Sequence, residues 1–156
     1  MKVIKAPNPI PLKPRPQIFL AGSIEMGKAE DWQTKFTSAL SDLDVTILNP
    51  RRDDWDSSWE QNINNPQFRE QVEWELDALT NRADIIAMYF APETMSPISL
   101  LELGLLAKTG RMAVCCPDGF WRKGNVDVVC AKYDIKTAKT LSELICLVRF
   151  LVEEKQ

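Results

Sequence analysis

With 156 residues, the chain is long enough for one domain with a hydrophobic core and too short for two domains of ordinary size. Its net charge of −3 argues against a protein that binds a nucleic-acid backbone, and no apolar run approaches the ~18 residues of a membrane span. Because the chain contains no histidine, Ser-His-Asp machinery and His-ligated metal sites are excluded, and acid–base chemistry falls mainly to Asp and Glu. The first residues also lack the apolar core of a signal peptide, so we expect a cytoplasmic protein.

Residues 1–16 are rich in proline, carry four basic side chains and contain no acid. This composition predicts an extended N-terminal arm outside the core, followed by a single domain over residues 17–156. The arm is either a loose tail or a segment that lies over a neighbouring subunit.

From residue 17 onward, short apolar runs alternate with segments of helical periodicity. Strands are predicted at 18–21, 45–48, 85–89 and 112–116, with a fifth beginning within 126–129. Helices are predicted at 28–40, 67–81, 96–107 and 141–152, the last opened by a Thr140–Glu143 capping box. This order predicts a doubly wound α/β domain with a five-stranded parallel sheet and helices on both faces.

Parallel sheets of this kind bind ligands beyond the carboxyl ends of their strands. That edge would collect Gly22 and Ser23 with the loops 49–65, 89–97 and 117–125. The segment 22–27 follows a strand as phosphate-binding loops do, but it lacks their glycine spacing, and Glu25 would repel a phosphate. A sugar-holding loop and a plain tight turn both fit these residues.

Glu102 is the only charged residue between Glu93 and Lys108. On a helix it shares a face with Ile98, Leu105 and Leu106, and this apolar face is expected to point inward. A carboxyl group in such surroundings is costly to ionise unless a partner stabilises it or a reaction uses it. Glu102 is therefore a candidate nucleophile.

A second carboxyl group would suit cleavage at an anomeric carbon, where one carboxylate attacks and another acid protonates the leaving group. Glu75 and Asp77, on the preceding predicted helix, are the candidates for that acid. Asp84 opens the next strand and is a candidate substrate-binding residue, the alternative being an acid that caps the turn. Trp55 and Trp59 lie in a polar loop, where they would either stack on a nucleobase or pack against the domain.

Three segments together resemble the nucleoside 2-deoxyribosyltransferase family and its relatives, the 2′-deoxynucleoside 5′-phosphate N-hydrolases. They are a strand leading into Ala21-Gly22-Ser23-Ile24, an acidic helix ending in Ala83-Asp84-Ile85-Ile86, and Glu102-Leu103-Gly104 with Ala107. The resemblance runs from about residue 18 to residue 125. It implies a flavodoxin-like sheet and an oligomer whose sites are shared between subunits.

By position, the resemblance makes Glu102 the nucleophile and Ser96 a sugar contact that is Asp in the bacterial transferases and Ser in the hydrolases. Asn125 matches an asparagine that reaches the 5′-hydroxyl from the neighbouring subunit. Phe19 stands where the family has a tyrosine that orients the nucleophile, so that hydrogen bond would be absent.

By position, the family's acid that handles the base falls at Leu76 in this chain. A shift of one residue leaves Glu75 and Asp77 as alternatives. Glu75 fits better, because the resemblance has the acid followed directly by a leucine. Where the hydrolases have an arginine, this chain has Glu25, which argues against a phosphorylated substrate.

Three functions follow as hypotheses. The first is a transferase that moves 2-deoxyribose between purine or pyrimidine bases through a deoxyribosyl-Glu102 intermediate, with net retention and without a metal or organic cofactor. In it, Trp55 or Trp59 stacks on the base, and the sugar is held by Gly22, Ser23, Ser96 and Asn125. The second passes the same sugar to water, as an N-hydrolase of deoxynucleosides or their 5′-monophosphates. The third is a non-catalytic nucleoside- or nucleotide-binding module on the same scaffold.

Overall fold

The computed structural model describes residues 1–12, 15–24 and 29–155. These described residues form six strands, β1 (Lys2–Lys5), β2 (Gln17–Gly22), β3 (Thr46–Asn49), β4 (Ile85–Tyr89), β5 (Met112–Cys115) and β6 (Lys136–Ala138). The helices are α1 (Trp32–Ala39), α2 (Pro66–Asp77), α3 (Pro97–Leu106), α4 (Lys123–Lys132) and α5 (Leu141–Glu153). The expected helix start near residue 28 and the predictions for Glu25 and the rest of the segment 25–27 lie outside the described residues.

All strand pairs are parallel, and the order across the sheet is β1-β3-β2-β4-β5-β6. After β2 the chain adds β3 on one side of β2, and after β4 it adds β5 on the opposite side of the sheet. The strand order therefore reverses between β2 and β4, and at such a point a ligand crevice is expected at the carboxyl ends of the strands. The predicted doubly wound, flavodoxin-like architecture is confirmed.

The sheet has one strand more than the five predicted, because part of the N-terminal arm joins it. Residues of β1 pair with β3, from Lys2 opposite Thr46 to Lys5 opposite Asn49. Ile4 and Ala6 are buried in the core. The expectation that the whole arm lies outside the core is therefore wrong for these residues: the proline-rich composition hid a short edge strand.

The fifth strand predicted within 126–129 is wrong as well. These residues lie in α4, which buries Val126 and Cys130 one turn apart, and the sheet continues instead with β6. The β-branched run in this segment favours a strand locally, but the packing of one helical face against the sheet overrides that preference.

Helices cover both faces of the sheet, as predicted. On one face α2, α3 and α4 pack over a cluster that includes Trp74, Leu103 and Val126. On the other, α1 and α5 pack over a cluster that includes Phe36 and Val148. Alternate residues of β2 belong to the two clusters, since successive side chains of a strand point to opposite faces of the sheet.

The helix α2 ends in a single π-helical turn, Ala78–Arg82. The backbone N–H of Ala83 donates to the carbonyl of Ala78 at 2.8 Å. Turns of this type are rare inside helices and occur frequently beside functional sites.

Candidate active site

The crevice begins where β2 ends, at Gly22. Its φ is +130°, and a Cβ atom there would lie 2.1 Å from the carbonyl oxygen of Tyr89. Only glycine allows β2 and β4 to approach this closely while the chain turns into the crevice. The next residue, Ser23, is held by its backbone N–H, which donates to the same carbonyl at 3.0 Å.

Three hydroxyl groups meet beside this turn. The Oγ of Ser23 lies 2.6 Å from the Oγ of Ser96 and 2.9 Å from the Oγ1 of Thr94, and the last two are 2.9 Å apart. The backbone N–H of Ala91 also donates to Ser23 Oγ at 2.9 Å. The structure therefore brings together Ser23 and Ser96, the two serines expected to hold the sugar.

Ser96 precedes α3 in a left-handed conformation, with φ of 44°. A serine in this position commonly caps the helix, but here its side chain makes no capping hydrogen bond and joins the hydroxyl cluster instead. Non-glycine residues in this region are strained by about 1–3 kcal/mol, and such strain is concentrated at functional sites.

Glu102 lies on α3, whose buried face differs from the one predicted. Ser99, Leu103 and Leu106 are buried, whereas Ile98 and Leu105 are 60% and 56% exposed. Glu102 borders the buried residues and is itself partly buried. The prediction of a carboxyl group in apolar surroundings is correct, but the predicted inward face, with Ile98 and Leu105, is wrong.

Glu75 lies on the inward face of α2, in line with the buried residues Gln71, Trp74 and Ala78. Its Oε1 accepts a 2.8 Å hydrogen bond from Gln71 Nε2. Burial raises the pKa of Glu75 to about 7, and this hydrogen bond, which favours the ionised form, opposes the rise.

The two glutamates interact across the space between α2 and α3. Burial raises the pKa of Glu102 to about 8, and the negative charge of Glu75 adds to the rise. Between these two pKa values the pair carries one proton, which the higher pKa of Glu102 places mainly on Glu102. The pair can therefore offer a carboxylate and a carboxylic acid together, which are the two groups required for retaining cleavage at an anomeric carbon.

Asp77 does not share this environment. Its carboxylate accepts hydrogen bonds from Asn81 and from Arg82, each at 2.9 Å. These donors hold the pKa of Asp77 below its ordinary value. An ionised carboxylate already paired with a guanidinium is poorly suited to donate a proton, so Glu75 has the environment of an acid and Asp77 does not.

A family comparison adds to this geometry. The family described as nucleoside 2-deoxyribosyltransferase like matches residues 15–120, which is more than half of the chain. The chain belongs to this family. A search of the curated proteins finds no significant match. The family match covers Ser23, Glu75, Ser96 and Glu102, and it ends before Asn125.

Membership in the nucleoside 2-deoxyribosyltransferase-like family supports nucleosides as the substrate class. Asn125 lies on the exposed surface of α4. In the described parts of the chain, no helix is long and apolar enough to cross a membrane. Nor do those parts contain a group of three or more His, Cys, Asp or Glu side chains that could hold a metal ion.

Two of the predicted site residues lie away from the crevice. Phe19 is fully buried in the core, with its ring centroid 6.3 Å from that of Trp74. Asp84 lies at the opposite edge of the sheet, where its Oδ2 accepts from the backbone N–H of Gln17 at 2.9 Å. Asp84 thus joins the amino ends of β2 and β4, and its position there fits the alternative of a structural acid.

The two loop tryptophans pack on each other, with ring centroids 5.2 Å apart. The guanidinium of Arg52 lies 5.0 Å from the centre of the Trp59 ring and also bonds to Glu70 of α2. The indole N–H of Trp55 is buried without an acceptor in the described part of the chain. This arrangement fixes the loop beside the start of α2 and leaves one buried donor unsatisfied.

Two residues of the site were not predicted from the sequence. Thr94 has no distinguishing pattern in the sequence, and only the folded chain brings its hydroxyl to Ser23. Gln71 precedes Glu75 by one helical turn, and the spacing of residues that share a helix face would have indicated it.

Proposed function

We propose that the chain is a nucleoside 2-deoxyribosyltransferase that uses Glu102 as nucleophile and Glu75 as acid. The observation that carries the proposal is the pair of partly buried, mutually interacting glutamates beside the crevice between β2 and β4. Family membership supplies the substrate class, a purine or pyrimidine deoxynucleoside.

In the proposed reaction, a carboxylate oxygen of Glu102 attacks C1′ and forms an ester bond as the C1′–N bond breaks. The bonding electrons move to the base, and Glu75 transfers its proton to a ring nitrogen such as N7 or N3. The second base then attacks C1′, which releases Glu102 as a carboxylate and returns a proton to Glu75. Two inversions give net retention.

The hydroxyl cluster of Ser23, Thr94 and Ser96 supports the placement of the sugar. It lies at the carboxyl end of β2 and before α3, the helix that carries Glu102. Hydroxyl groups both donate and accept, and they therefore match the hydroxyls of a deoxyribose. The indole faces of the Trp55 loop are proposed to contact the base.

Deoxyribosyl transfer to water is the second candidate, favoured by serine rather than aspartate at position 96. Incubation of a deoxynucleoside with a different free base separates the two. The transferase forms the exchanged nucleoside, whereas the release of only free sugar and free base would establish the hydrolase.

The nucleophile is tested with Glu102→Gln, which keeps the size of the side chain and removes its charge. We expect base exchange to fall by about a thousandfold or more, because a missing nucleophile removes the covalent route. Intact mass spectrometry of the unsubstituted protein with a deoxynucleoside should show one added deoxyribosyl group, which the variant lacks.

Glu73→Gln is the matched control for that test, since Glu73 lies on α2 and is exposed. It should leave exchange unchanged. An unchanged rate in Glu102→Gln would contradict the assignment, and bound nucleoside without turnover in the unsubstituted protein would favour a binding module.

We further propose that the protein acts as a homodimer. Ile98, Leu101 and Leu105 form an exposed apolar stripe along α3, and Leu101 is 67% exposed. Contiguous apolar surface of this kind is typical of interaction sites. The stripe lies on the helix that carries Glu102, so a second copy seated there would border the crevice.

A further inference from the structure

We propose that Gln71 is a positioning residue that determines which oxygen of Glu75 carries the transferable proton. This inference rests on the proposed role of Glu75 as the acid. It adds a residue that touches neither the sugar nor the base and acts through the orientation of the carboxyl group.

The contacts of Gln71 are specific. Its side chain is buried, and Nε2 donates to the carbonyl oxygen of Pro50 at 2.9 Å and to Glu75 Oε1 at 2.8 Å. Pro50 directly follows β3, so the amide connects Glu75 to the backbone at the carboxyl edge of the sheet. Both N–H groups of the amide are thereby used.

The orientation of the amide follows from its neighbours. A backbone carbonyl only accepts, so it is the nitrogen of Gln71 that must face Pro50. This orientation leaves the oxygen of the amide unsatisfied, because Gln71 Oε1 is buried without a hydrogen-bond partner in the described part of the chain. A buried acceptor without a donor is unfavourable, and its presence indicates that the two donated bonds dominate.

With Gln71 donating to Oε1, a proton on Glu75 is directed to Oε2. The same hydrogen bond stabilises the ionised carboxyl group and opposes the effect of burial. Glu102 of α3 is the titratable group that interacts with Glu75 from another element, since the charge of Glu75 raises the pKa of Glu102. Gln71 and burial therefore act on the pKa of Glu75 in opposite directions.

The direct test is a carboxyl-carbon NMR titration of the ligand-free protein, which requires no turnover. In Gln71→Met, which keeps the length and the helix preference of the side chain, we expect the pKa of Glu75 to rise by about one pH unit. Gln67→Met, at an exposed position one turn earlier on α2, should leave it unchanged. An unchanged pKa in a folded Gln71→Met protein would overturn the proposal.

A second measurement uses the unsubstituted chain and so does not depend on the folding of a variant. The side-chain amide resonances of Gln71 should titrate together with the Glu75 carboxyl carbon, and this titration should vanish in Glu75→Gln. Amide resonances of Gln71 that do not change when Glu75 ionises would overturn the proposed contact.

The kinetic test separates this proposal from the proposed function. In Gln71→Met, kcat for base exchange should fall at least tenfold with little change in KM, and the alkaline limb of the pH profile should move upward. If the unsubstituted protein exchanges no base while both NMR results appear, the proposed function fails and the coupling of Gln71 to Glu75 stands. Exchange with an unmoved alkaline limb in Gln71→Met would overturn the positioning role alone.

Discussion

Glu75 and Glu102 resist ionisation because each lies partly buried and close to the other. Loss of hydration raises both pKa values, and repulsion between the two charges adds to the rise at Glu102. The productive form in the proposed mechanism carries one proton, on Glu75, and one charge, on Glu102. The pair carries a single proton between its two ionisations, and since the pKa of Glu102 is the higher, the productive arrangement is the minor one of the two in the ligand-free protein.

We therefore expect a bell-shaped dependence of kcat/KM on pH. Below the lower pKa, near 7, both carboxyl groups are protonated and Glu102 cannot attack; above the higher, near 8, both are ionised and Glu75 cannot donate. The measurement is kcat/KM for base exchange from about pH 5.5 to about pH 9.5.

Glu75→Gln provides the internal control for this profile. Its residual activity should lose the alkaline limb, because glutamine has no proton to lose, and its acid limb should then report the ionisation of Glu102 beside a neutral partner. A profile of Glu75→Gln identical in shape to that of the unsubstituted protein would contradict the assignment of the acid.

At the scale of the elements, the crevice depends on how closely β2 and β4 approach at Gly22. The left-handed φ and the contact with the Tyr89 carbonyl leave no space for a side chain. Ser23, the first residue of the hydroxyl cluster, takes its position from this turn. The local geometry of the proposed sugar site therefore follows from the pairing of two strands.

Gly22→Ala should lower the free energy of unfolding by about 3 kcal/mol, because the added Cβ collides with the Tyr89 backbone and the required φ strains an alanine. Chemical denaturation followed by circular dichroism measures the change. Gly124→Ala is the matched control, since a Cβ there meets no atom within 4 Å, and it should leave stability unchanged or slightly raised. Equal stability of the two variants would show that β2 and β4 can separate.

The elements that the sequence predicted well have strong local signals. The apolar runs of β2 and β4 are continuous because both faces of the strands are covered, and Thr140 marks the start of α5, where Glu143 N–H donates to its hydroxyl at 3.2 Å. The errors occur where packing between elements decides. Val126 belongs to a helix because that helix packs on the sheet, and Ile98 is exposed because α3 turns another face inward.

At the site, too, some residues have a local signal in the sequence and others depend on contacts between side chains. Glu102 is recognisable from the absence of other charges around it. The choice between Glu75 and Asp77 depends on Arg82, which pairs with Asp77 only after α2 has formed its π turn. No pattern in the sequence gives that contact directly.

At the scale of the whole molecule, the exposed stripe on α3 and the exposed Asn125 on α4 lie on helices that cover the same face of the sheet. If the stripe pairs with a second copy, Asn125 of one subunit can complete the site that contains Glu102 of the other. The two proposals about this face are therefore linked by a single experiment.

Mixing Glu102→Gln with Asn125→Ala subunits should restore activity that neither variant has alone. A hybrid dimer contains one complete site, and random reassociation of equal amounts makes about half of the dimers hybrids, so about a quarter of the activity should return. Exchange assays after mild denaturation and renaturation measure it, with sedimentation to establish the dimer.

Leu101→Lys, which places a charge in the middle of the stripe, should give monomers by sedimentation. A monomeric unsubstituted protein, or the absence of any restored activity in the mixture, would contradict the shared site.

The π turn after α2 has a consequence for comparing this chain with its relatives. An N–H that reaches back to Ala78 from Ala83 accommodates one residue more than an ordinary helical turn would. Glu75 is accordingly one residue further from Asp84 than the resemblance places the acid, while it keeps its inward direction. An ungapped alignment would assign the acid's column to Leu76, which is 42% exposed. Under the proposed assignment of Glu75 as the acid, the π turn accounts for the one-residue shift, so a search for the acid in related chains should follow the helix face.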